Sequence, residues 1–246
     1  MEILKHRVNS LNEIDLSSGL EIDVRDFNNE IVLSHDFPST KSIKFDDFLK
    51  NISKNQLLAV NIKSTEIEND VKKILEENNI SNYFTFDWAV PSLIKAINKG
   101  LVCAFRLSEF EKDIFPQCDW VWVDSFQKIW FDAEYISSLK NLGLKIAIVS
   151  PELHERKLEM EQVKEIVNSI KVDAICTDFP NFTIASGSSK KLSTTTGKNF
   201  SGVAYCDFFA ILEPDPLFSI SSYFYRYFSF ITSGLIFLSY NKIFTS

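Results

Sequence analysis

An excess of basic residues is missing from this chain: 26 Lys and Arg stand against 33 Asp and Glu in 246 residues, a formal charge of −7. A surface that neutralises nucleic-acid phosphates needs the opposite balance, so this composition argues against a nucleic-acid partner. Paired cysteines are missing too. The four present, Cys103, Cys118, Cys176 and Cys206, form no CxxC pair. The first three lie in apolar runs, where a cysteine acts as a small buried hydrophobe. Only seven glycines occur, and none builds a glycine-rich loop after a strand, which argues against a dinucleotide or nucleotide fold. The first ten residues, MEILKHRVNS, hold no apolar stretch of signal-peptide length. A reducing, cytoplasmic setting is therefore the expectation.

What the chain does contain is alternation. Up to about residue 182, β-rich runs at residues 2–7, 20–25, 57–64, 83–88, 101–108, 120–126, 145–152 and 174–179 are separated by segments with apolar residues at helical spacing. These segments are FDDFLKNIS, EIENDVKKILEENN, PSLIKAINKG, DAEYISSLKNLG and MEQVKEIVNSI. Residues 30–35 read as a hairpin arm on the second strand, because only the short FNN turn intervenes. Gly19, Gly100 and Gly143 each precede Leu and a strand, as expected of glycines that close helices. Eight strands with short connectors predict an α/β fold, a compact (β/α)8 barrel over residues 1–183, with its chemistry at the carboxyl ends of the strands. An open doubly wound sheet is the competing architecture.

After residue 183 the composition changes. Residues 186–202 are Ser-, Thr- and Lys-rich, as in a linker. Residues 217–240 are rich in Phe, Tyr and Ser and apolar enough to suggest membrane association, but Arg226 divides them and the uninterrupted part falls short of the ~20 residues that span a bilayer.

At the strand ends, polar residues collect. The first strand ends in His6 and Arg7; the second reads Leu20-Glu21-Ile22-Asp23-Val24, which sends two carboxylates to one face. His35 follows on the hairpin arm, Asn61 and Lys63 lie on the third strand, and Thr177 and Asp178 on the last. Like-charged neighbours on one face persist when a cation, a proton or solvent relieves their repulsion. A divalent ion at Glu21 and Asp23 can neutralise a phosphate oxygen, Arg7 and Lys63 can add positive charge, and His6 and His35 can divide the proton transfers of phosphodiester cleavage. His154, in the charged stretch ELHERKLEM, reads as solvated.

HR on the first strand, EIDV on the second, HD shortly after it, NIK on the third and DAICTDFP on the last together resemble the glycerophosphodiester phosphodiesterases and their relatives among the phosphatidylinositol-specific phospholipases C. The resemblance spans residues 3–180. It implies a metal-dependent phosphoric diester hydrolase using Ca²⁺ or Mg²⁺, with attack by a substrate hydroxyl through a cyclic phosphate. It further implies His6 and His35 as acid and base, Glu21 and Asp23 as metal ligands, and Arg7 and Lys63 as phosphate contacts. Asn61 stands where the family usually has a glutamate; its carbonyl can still ligate, with one charge less. The expected substrate is a glycerophosphodiester, a phospholipid headgroup or a polyol phosphodiester. The alternative is a barrel that binds a phosphorylated polyol or lipid headgroup without turning it over.

Overall fold

The computed structural model describes residues 1–179. Nine strands form one sheet: β1 (Glu2–Lys5), β2 (Gly19–Phe27), β3 (Glu30–Leu33), β4 (Leu58–Ile62), β5 (Tyr83–Phe86), β6 (Ala104–Leu107), β7 (Trp120–Val123), β8 (Lys145–Val149) and β9 (Ala174–Thr177). Their order is β5-β4-β2-β1-β9-β8-β7-β6, all neighbours parallel, with β3 antiparallel on β2. The remaining seam, β5 to β6, carries a single Thr85–Cys103 bridge, so eight parallel strands make a nearly closed barrel. The barrel expected from sequence is the fold observed, and the open sheet is excluded.

Two layers of apolar packing follow from strand alternation. Leu20, Ile22 and Val24 point outward into the layer beneath the helices. Inside the barrel, Phe84 stacks on Trp120 with ring centroids 4.5 Å apart and Phe86 on Trp122 at 4.0 Å. Ala59, Ala104, Ala147 and Ala174 face the same interior. Small residues opposite large rings fill the barrel, so it is a packed core and not a pore.

The five helical segments read from the sequence all form: α1 (Phe45–Leu49), α2 (Glu68–Glu77), α3 (Val90–Asn98), α4 (Ala133–Asn141) and α5 (Met160–Ser169). Asp132 caps α4 by accepting from the Tyr135 N–H at 2.8 Å. Asn28 and Asn29, both at positive φ, make the tight turn between β2 and β3. Gly100 and Gly143 take φ of 79° and 85° behind α3 and α4 as expected. Gly19 does not close a helix. It opens β2, where a Cβ would lie 2.8 Å from Leu4 Cδ2 and 3.0 Å from the Leu57 carbonyl oxygen. Its role is close backbone packing.

No helix among the described residues is long and apolar enough to cross a membrane. The linker-like residues 186–202 and the aromatic residues 217–240 lie outside the described residues.

Candidate active site

Because Leu20, Ile22 and Val24 occupy the outer layer, Glu21 and Asp23 must point into the barrel, and both are almost fully buried there. Burial, with the Asp23 carboxylate alongside, holds the Glu21 carboxyl well above the ordinary carboxylate range. Partners within the barrel offset part of the cost. The Arg7 N–H donates to Glu21 Oε2 at 2.8 Å, and Lys63 Nζ lies 3.4 Å from Asp23 Oδ1. Asn9 exchanges two bonds with Asp23: its side-chain amide donates to Asp23 Oδ2 at 2.8 Å, while its Oδ1 accepts from the Asp23 N–H at 2.9 Å.

The chain reaches Glu21 from β1 through a left-handed residue, Arg7, at φ 55°. A non-glycine residue in that conformation costs roughly 1–2 kcal/mol, and strain of this kind clusters at functional sites. Here it turns the Arg7 N–H onto Glu21 and leaves the guanidinium to reach His35, Nη2 to Nε2 at 3.1 Å. A guanidinium only donates, so His35 Nε2 accepts and the ring proton sits on Nδ1, 2.9 Å from Asp36 Oδ1. The His35 backbone is fixed from behind, its carbonyl accepting from Arg25 Nη2 at 2.8 Å.

His6 has the same tautomer for a different reason. Its Nδ1 donates to Asp178 Oδ1 at 3.0 Å, leaving the Nε2 lone pair toward the site, 4.0 Å from Glu21 Oε2. Burial lowers the His6 pKa, and Asp178 opposes this without reversing it, which favours the neutral ring. Asp178 is itself supported: Glu152, buried behind it, accepts from the Asp178 N–H at 3.3 Å and from the Thr177 hydroxyl.

Of the seven candidate site residues, Glu21 and Asp23 lie on β2 and Asn61 on β4, while His6 and Arg7 follow β1, His35 follows β3 and Lys63 follows β4, at one end of the barrel. Asn61 is buried next to Asp23 on the paired strand, and its amide oxygen finds no hydrogen-bond partner among the described residues. Two buried carboxylates and an orphaned amide oxygen form an all-oxygen donor set, which fits a hard divalent cation. Among the described residues no three His, Cys, Asp or Glu side chains form a metal cluster; the third ligand here would be the amide.

Sequence reasoning passed over Asn9 and Glu152, whose signal is only a polar side chain near a strand end, and it misread His154. That ring lies against the opposite half of the barrel end, its Nε2 2.7 Å from Oδ1 of buried Asp124. Asp124 also accepts from Arg106 Nη1 at 2.6 Å, and Arg106 in turn makes a forked contact with Asp87. Burial disfavours the Arg106 guanidinium, but Asp87, Asp124 and Glu111 outweigh it and raise its pKa. Loop composition alone could not reveal a histidine anchored by a carboxylate 30 residues away.

No protein-family model and no curated protein matches the sequence. Comparison with solved structures finds a glycerophosphodiester phosphodiesterase from Thermotoga maritima at 17% identity and a TM-score of 0.54, covering 72% of this chain and 94% of that one. Another from Agrobacterium tumefaciens has 13% identity and a TM-score of 0.59, with 75% and 100% covered. A phosphodiesterase from Oleispira antarctica, in complex with the product sn-glycerol-3-phosphate, has 15% identity and a TM-score of 0.55, with 73% and 94% covered. Residues 1–179 therefore have the barrel fold of the glycerophosphodiester phosphodiesterases.

Proposed function

We propose that this chain hydrolyses a small phosphodiester that carries a hydroxyl beside the scissile bond, with His6 and His35 as its acid–base pair. The observation that carries the reading is the matched orientation of the two rings. Asp178 fixes one and Asp36 the other, each through Nδ1, which leaves His6 Nε2 facing Glu21 and His35 Nε2 accepting from the Arg7 guanidinium.

His6 is the base: a neutral, half-buried imidazole takes the proton of the substrate hydroxyl, and the freed oxygen attacks phosphorus. His35 is the acid: once the guanidinium leaves Nε2, that nitrogen takes up a proton from solvent and passes it to the departing alkoxide. The Arg7 guanidinium on that nitrogen is also a donor fork matched to phosphate. Drawn to the substrate, it releases Nε2 to carry the proton. The cyclic phosphodiester is then opened by water, with the two histidines exchanging roles. Lys63 beside Asp23 adds positive charge where the phosphate oxygens gain negative charge. A divalent cation, Ca²⁺ or Mg²⁺, would be held by Glu21, Asp23 and Asn61 and would supply further positive charge to the phosphate.

The solved neighbours support a small phosphodiester as substrate, the Oleispira antarctica phosphodiesterase having sn-glycerol-3-phosphate as its product. One observation favours a second reading, a barrel that binds a phosphorylated polyol or lipid headgroup without cleaving it: Asn61 gives the cation site one carboxylate fewer than a three-acid site.

Leaving-group dependence tests the assignment. His35→Ala should lower turnover of an alkyl diester by on the order of 10² to 10⁴ and spare glyceryl 4-nitrophenyl phosphate, whose leaving group departs without a proton. His6→Ala should impair both. Wild-type rates in both variants on both substrates would remove the histidine pair from the mechanism, and no turnover by the wild type would leave the binding reading.

A further inference from the structure

Beside Lys63 the barrel end opens into a cleft of about 700 Å³ whose other wall belongs to the loop after β5, the start of α3, β6 and the loops after β6 and β7. Lys63 contacts Asp23 on one side and lines this cleft on the other, so the cleft adjoins the candidate active site. Its ionisable side chains are balanced. Asp87, Glu111 and Asp113 stand against Lys63, Arg106 and Lys112. Between these charges lie aromatic surfaces, Trp88, Phe110 and Phe126, with Phe110 and Phe126 6.2 Å apart and Phe110 largely exposed.

The cleft is built, not incidental. Glu109 accepts from three successive backbone N–H groups, those of Phe126, Gln127 and Lys128, at 3.0, 2.7 and 3.0 Å, and so fastens the loop after β6 to the loop after β7. Against the cost of its burial, these donors lower the Glu109 pKa to about 2. Asp87, directly after β5, is held in the left-handed region at φ 63°, and its carboxylate anchors Arg106. Such fixed walls lower the entropy cost of binding.

Charge and shape select the ligand. A quaternary ammonium needs an aromatic box with negative excess, and three cations in the lining oppose it. An acyl chain would strip water from six ionisable groups without replacing their hydrogen bonds. A neutral ring bearing hydroxyls satisfies both constraints: the carboxylates accept from its hydroxyls, the ammonium groups donate to them, and the aromatic faces cover its C–H surface.

We propose that this cleft binds a neutral sugar ring, and that the substrate is a phosphodiester joining such a ring to a second alcohol. The proposal rests on the phosphodiesterase reading only for the position of the phosphate. Its test uses the full chain with Mg²⁺ and three diesters of glycerol: glucose linked through its 6-hydroxyl, choline, and choline with an oleoyl group on the glycerol. The glucose diester should exceed the other two in kcat/KM by at least about tenfold, the scale of one or two pocket contacts. Phe110→Ala and Glu111→Gln should each shrink that ratio. Preference for either choline compound, or a ratio that neither variant moves, would overturn the proposal while hydrolysis itself upheld the phosphodiesterase reading. If no diester is cleaved, equilibrium binding of the glucose diester decides. Saturable binding weakened by Phe110→Ala keeps the sugar cleft without catalysis, and no binding removes it.

Discussion

At the scale of single residues, the question is which side chains act on substrate and which hold them in place. Asp178 is a positioning residue: it fixes the His6 tautomer through a 3.0 Å bond. Asp178→Asn should reduce kcat by roughly 10- to 100-fold at nearly unchanged KM, with His6→Ala adding little further loss, since residues acting as a unit are not additive. Fully additive losses in a double-mutant cycle would separate the two. The buried thiols make a different prediction. Burial pushes Cys103 up to about 11 and Cys118 up to about 12, with Cys176 also raised. Thiolate is the reactive form, so iodoacetamide at pH 8 should label these three only after denaturant is added. Rapid native labelling, read by peptide mass spectrometry, would contradict their burial. Their inert character was legible in the sequence from the apolar runs around them. So was the inward pair Glu21 and Asp23, because alternation fixes which face they share. Asn9 and Glu152 were not legible, since a polar residue in a loop has no periodicity to reveal its partner. His154 was misread for that reason: its charged neighbours in sequence suggested solvent, and Asp124 is its neighbour only in space.

Elements were the most readable level. Every strand and helix segment expected from pattern forms, because a buried parallel strand and an amphipathic helix carry their own periodicity. Strand ends ran two or three residues long in the reading, at His6 and Arg7 for example, where the chain leaves the ladder for a left-handed turn. Gly19 shows the limit of local rules. Its sequence context matches that of Gly100 and Gly143, but its requirement is set by Leu4 and Leu57, which only the assembled barrel brings to it. Gly19→Ala should therefore destabilise by about 1–3 kcal/mol through overpacking, while Ala at Gly143, with open space around its Cβ position, should lose only the roughly 1–2 kcal/mol of a left-handed residue. Urea denaturation midpoints measure both. An unshifted midpoint for Gly19→Ala would show that Leu4 yields without cost.

For the whole molecule, the account is of one barrel end with two halves. His6, His35, Glu21, Asp23, Asn61 and Lys63 come from strands adjacent in the sheet though separated by up to 57 residues in sequence (63 − 6 = 57); Asp87, Arg106, Asp124 and His154 gather on the other side. The order of strands makes this proximity, which is why the first half was readable once a barrel was assumed and the second was not. We further propose that residues 184–246 are dispensable for this chemistry, as their break in composition suggests. A chain ending at residue 185 should stay soluble and keep its turnover, and its loss from solution would assign those residues to the stability of the barrel. The central claim is that the two histidines make and then open a cyclic phosphate. Phosphorus NMR of the full chain with Mg²⁺ and, in turn, glycerophosphocholine and the glycerol diester of glucose observes this directly. The account predicts a transient five-membered cyclic phosphate signal that gives way to glycerol phosphate, both absent with His6→Ala. An unchanged diester signal at high protein concentration, with either Mg²⁺ or Ca²⁺, would contradict it.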